Sequence, residues 1–77
     1  MVRSIVLHDA NDLRDFMMMS IEAKSDVGVH TRENQIADGR SILGLIALDY
    51  SKPVKVVSDD ENFMKKLDKW AVKDDFC

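Results

Sequence analysis

The sequence holds one cysteine, one proline and three glycines in 77 residues, with one tryptophan, one tyrosine and three phenylalanines. Each scarcity excludes something. Cys77 stands alone at the last position, so no disulfide framework or cysteine-based metal centre can form within the chain, and its thiol reads as incidental. Gly28, Gly39 and Gly44 are scattered, which leaves no glycine-rich loop to cradle a phosphate. No apolar run approaches the roughly 20 residues that a membrane span requires. Basic residues are outnumbered, 11 Lys and Arg against 14 Asp and Glu, for a net charge of -3. That balance lacks the basic footprint of a nucleic-acid-binding surface. Met1-Val2-Arg3 leads straight into strand-like sequence, so no secretory signal is expected. A cytoplasmic protein fits these features.

What is present suits one small domain spanning residues 1–77. Hydrophobic residues make up 45% and charged residues 32%, an ordinary soluble composition. Val2 to Leu7 is rich in β-branched residues and reads as a strand. His8-Asp9-Ala10-Asn11 breaks it. Asp9, with Asp12 three residues on, suits a helix start. Leu13, Phe16, Met17, Ser20 and Ile21 then recur at helical spacing to about Glu22. Of the three consecutive methionines, Met17 is the best placed to reach the core.

Val27 and Val29 alternate with Gly28 and His30 in a second strand, Lys24 to Thr31, of which one face is buried. Arg32-Glu33-Asn34 is a polar turn, and Gln35 to Asp38 is the return strand with Ile36 expected inward. At Gly39 a backbone conformation that resists a side chain is expected. Ser41 is placed to cap a second helix ending at Asp49, before the Lys52-Pro53 break. Val54 to Ser58 makes a fourth strand. Ser58 or Asp59 is expected to cap a third helix, in which Phe63, Met64, Leu67, Trp70 and Ala71 form an apolar stripe toward Lys73. An acidic tail follows. The order is β-α-β-β-α-β-α. The fold class is α+β, with helices covering one face of a sheet.

The stretch Asp38 to Val57, DGRSILGLIALDYSKPVKVV, resembles the HPr family, the small phosphocarriers of the bacterial phosphoenolpyruvate-dependent sugar phosphotransferase system. There a lysine (here Arg40) followed by Ser-Ile-(Met or Leu)-Gly opens the second helix. The resemblance covers the whole chain by element order. It implies an open-faced sandwich whose sheet is four-stranded and antiparallel. It also implies that Ser41 is a regulatory phosphorylation site, and that Arg40, Ile42, Leu43 and Ile46 dock partner proteins. The partners implied are enzyme I, sugar-specific components of the system, HPr kinase or a transcription regulator. No cofactor is implied.

The family's His-Ala-Arg-Pro motif before the first helix is missing. Counting back from Ser41 without gaps puts Ala10 at the histidine, Asp12 at the arginine and Leu13 at the proline. The leading expectation is therefore a regulatory, protein-binding member that lacks the usual phosphohistidine. His8, two residues upstream, keeps a second reading open, a working phosphocarrier. A bland loop histidine is the alternative, flanked by Asp9 and Asp12, whose charge opposes a phosphoryl group. A third reading is an unrelated small α+β module that binds a ligand or a protein. Ser41 serves equally as a plain N-cap. The apolar residues of the second helix are either an exposed patch or the sign of a deeper helix. His30 reads as a solvent-facing strand residue, without the companions a metal site needs. No other catalytic constellation is present.

Overall fold

A computed structural model describes residues 1–73; Cys77 and the acidic tail lie outside the described residues. The elements are β1 (Val2–Ile5), α1 (Ala10–Glu22), β2 (Val27–His30), β3 (Ile36–Asp38), α2 (Ile42–Ile46), β4 (Val54–Ser58) and α3 (Glu61–Lys66), extended by a 3-10 turn (Leu67–Trp70). The four strands form one antiparallel sheet in the order β1-β4-β2-β3. With three helices and this element order, the molecule is an α+β open-faced sandwich.

Strand parity builds the core. Ile5, Val54, Val56, Val27 and Val29 point to the helix side and are almost wholly buried. Across the seam Phe16 of α1 meets Phe63 of α3 with ring centroids 6.0 Å apart, and Trp70 at 6.3 Å. Leu45 and Leu48 close the core under α2. Arg3 shares the Ile5 face; its guanidinium reaches the Met64 carbonyl at 3.1 Å and pairs with Asp68.

Several expectations are corrected. Ile36 points outward and is 68% exposed, whereas Ala37 packs on the core. The pairing sets this parity, since Ala37 stands opposite Val29 and Ile36 opposite His30. A three-residue loop ending in Asn34, at φ 66°, fixes the register, and a slip of one residue exchanges the faces. On α1, Ile21 is exposed, and Met19 packs on the core together with Leu13 and Met17.

The second helix stops at Ile46, short of Asp49. The Leu45 carbonyl is taken by the Ala47 and Leu48 amides and by the Tyr50 hydroxyl at 2.6 Å, which tightens the last turn. The cap of α3 is Asp60, whose carboxylate accepts the Phe63 N–H at 3.1 Å. Ser58 is held in the β4 ladder opposite Val27, and its hydroxyl accepts the Asp60 N–H. After Trp70 the chain leaves the helix because Ala71 bridges to Ile5. Gly39 has no positive φ. Its reason is proximity: a Cβ there would lie 2.7 Å from Val27 and 2.8 Å from Ser20.

Candidate functional site

Two neighbouring regions hold the residues singled out from the sequence. The first is the loop from β1 into α1. Asp9 caps the helix, its carboxylate accepting the Asp12 N–H at 2.9 Å. Asp12, at the third helical position, reaches back: its Oδ2 accepts the His8 backbone N–H at 3.0 Å and lies 3.1 Å from His8 Nδ1. The arrangement is a capping box extended by one residue. The His8 N–H holds the Asp12 carboxyl below the usual carboxylate range; partial burial opposes this, and the imidazole and the Trp70 indole add to it.

With a carboxylate at Nδ1, that nitrogen carries the proton of a neutral ring and Nε2 is the free basic atom. The imidazole side chain is 68% exposed. It stands at an open depression of about 330 Å³ lined by Leu7, His8, Asp9, Ala10, Leu13 and Tyr50. None of these lining residues is cationic. The site thus presents an oriented imidazole without a counter-charge for a phosphoryl group. The His8–Asp12 contact is the geometry of this candidate site that sequence reasoning missed, although their i,i+4 spacing could have signalled it.

The second region is α2. The Ser41 hydroxyl accepts the Gly44 N–H at 3.3 Å, and the Ser41 N–H donates to the Asp38 carbonyl at 2.9 Å. Ser41 is exposed. Ile42, Leu43 and Ile46 are 42%, 81% and 62% exposed, and Leu45 alone of this helix is buried. Gly44 sits close over Ala37 of β3. Tyr50 links the two regions, lining the His8 depression while its hydroxyl donates to Leu45.

Arg40 is turned away from Ser41 toward the end of α1. Its Nε donates to the Ser20 carbonyl at 3.2 Å, and its Nη2 to Ala23 and Ser25 at 3.2 and 3.0 Å. Its Nη1 meets Asp26 at 3.4 Å. A cation on the last carbonyls of a helix suits the dipole. His30 lies on the open face, in a shallow hollow with Gly28 and Val57. Among the described residues no group of three His, Cys, Asp or Glu side chains could hold a metal ion, and no helix is long and apolar enough to cross a membrane.

Compared with protein-family models, with curated proteins and with solved structures, the chain matches none.

Proposed function

We propose that this chain is an HPr-like regulatory module of a sugar phosphotransferase system, acting by binding proteins in the cytoplasm rather than by catalysis. The observation that carries the reading is the exposed trio Ile42, Leu43 and Ile46 on a five-residue helix. Burying such side chains against a partner contributes about 25 cal/mol per Å² of apolar surface, and helix and sheet hold them in place beforehand. The partners are enzyme I, sugar-specific components, HPr kinase or a transcription regulator of such a system. Ser41 is the control point. A phosphate there adds roughly -2 charge beside the patch, at a helix start that tolerates it. Arg40, engaged with α1, supplies a fixed neighbouring positive charge rather than a free clamp.

A second reading rests on the imidazole. Asp12 orients His8 with Nε2 outward, which favours a phosphoryl carrier working through that nitrogen. Against it stand Asp9, Asp12 and the absence of a cation among the residues lining the depression.

Intact mass after incubation with phosphoenolpyruvate and enzyme I, beside an ordinary HPr, separates the two. No gain by this chain while the control is labelled supports the binding module. An acid-labile phosphate lost in His8→Ala establishes the carrier instead. Incubation with HPr kinase and ATP then tests Ser41: one acid-stable phosphate, absent in Ser41→Ala, is expected, and no transfer removes the regulatory part of the reading.

A further inference from the structure

The sheet has two edges, and the chain closes one of them. Beyond the 3-10 turn the backbone lies along β1: the Val6 N–H donates to Trp70 at 2.9 Å and the Val72 N–H to Ser4 at 3.0 Å, with Ile5 opposite Ala71. Nothing among the described residues covers β3 in this way. Its outward groups follow from the ladder. The Thr31 N–H donates to Gln35 at 2.9 Å and the Gly39 N–H to Val27 at 2.8 Å. Residues 35, 37 and 39 therefore turn their backbone groups toward β2, and alternation turns those of Ile36 and Asp38 away. The Asp38 carbonyl is taken by the Ser41 N–H. Facing outward are the N–H and C=O of Ile36 and the N–H of Asp38.

A donor and an acceptor on one residue are complementary to themselves. About a two-fold axis perpendicular to the sheet, each Ile36 N–H meets the Ile36 carbonyl of a second copy. The two Ile36 side chains then lie together on the open face, apolar against apolar. Residue 34, an asparagine, comes opposite Asp38, so no carboxylate faces a carboxylate. Because α2 rides on β3, both copies of it fall on one side of the junction. A sheet with one bare edge closes as a pair instead of growing into a fibre.

We propose that β3 is a self-association edge, pairing antiparallel with β3 of a second copy about Ile36 to make one continuous sheet. The pairing rests on the Ile36 backbone, independently of any role of α2 in docking other proteins. Two reciprocal hydrogen bonds make a short ladder, so the dimer is weak and builds up with concentration.

Sedimentation equilibrium on the full chain tests this, from about 10 µM to about 1 mM. The average mass is expected to rise from 8.8 kDa toward twice that value. Ile36→Pro removes the outward N–H without touching the β2 ladder, and Ile36→Lys places two cations together; both should stay monomeric with an unchanged circular dichroism spectrum. Exchange of the Ile36 amide in the native chain should slow as concentration rises. A monomer throughout the range, or Ile36→Lys pairing as well as the native chain, overturns the proposal. So does association that Leu43→Lys abolishes and Ile36→Lys does not.

Discussion

Gly39 shows how one residue can be constrained by space rather than by dihedral angle. The methyl group of an alanine would press on the Val27 and Ser20 side chains at under 3 Å, and both are fully or nearly fully buried. Gly39→Ala is expected to cost about 1–3 kcal/mol of stability, as overpacking of a core does, measured by urea denaturation. Asp60 is a residue of the opposite kind, half-buried and fixed by donors. The Lys24 N–H at 2.8 Å, ahead of that of Phe63, holds its carboxyl below the usual range. A carboxyl depressed on folding stabilises above its unfolded pKa and loses that contribution as pH falls through the folded value. Asp12 and Asp49 are lowered likewise, by the His8 N–H and by the Ser51 hydroxyl respectively. The melting temperature should therefore hold above about pH 5 and fall below about pH 4. In Asp60→Asn the difference between the two plateaus should narrow; an unchanged difference removes Asp60 from this account.

At the scale of elements, α2 carries the main question. A helix of five residues is far too short to persist by itself, so Ser41 at its start, the Tyr50 hydroxyl at its end and buried Leu45 hold it. Ser41→Ala should lower stability by about 1 kcal/mol through the lost cap. Leu43→Ser, on an 81% exposed side chain, should change stability by no more than about 0.5 kcal/mol while weakening any protein that docks there. A large loss of stability in Leu43→Ser would mean that the side chain is buried after all. The seam between α1 and α3 behaves differently. Phe16 fills the space between Phe63 and Trp70, and Phe16→Ala should cost about 3–5 kcal/mol. The same denaturation curve reports it.

For the whole molecule, the distribution of polar ties explains how so small a domain stays in one arrangement. Arg40 binds the end of α1 to the turn after β3, Arg3 binds β1 to the end of α3, and Asp60 binds α3 to the turn before β2. Each tie joins segments distant in sequence and lies at the rim, leaving the centre to apolar contacts. Arg40→Ala should lower stability by about 2 kcal/mol, since its donors to main-chain carbonyls are charge-assisted. Arg40→Lys should recover only part of that loss, because an ammonium cannot span the Ser20, Ala23 and Ser25 carbonyls with one planar fork. Full recovery by lysine would show that charge alone matters there.

The sequence by itself determined the element order, the α+β class and most of the core. Strand and helix periods place Val27, Val29, Val54, Val56, Phe16, Phe63, Leu67 and Trp70 inward without reference to any partner, because each pattern is local. It also isolated Ser41 as a cap and left the apolar residues of the second helix as either an exposed patch or the sign of a deeper helix. The tertiary structure decided what local pattern leaves open. The face of a three-residue strand depends on its neighbour's register, so Ile36 points out and Ala37 in. The exposure of Ile42, Leu43 and Ile46 depends on what α2 packs against. Arg40 turns to α1, and His8 and Asp12 meet, because folding brings their partners within reach. Side-chain hydrogen bonds and sheet edges are properties of assembled elements, and those are where this protein's candidate functions lie.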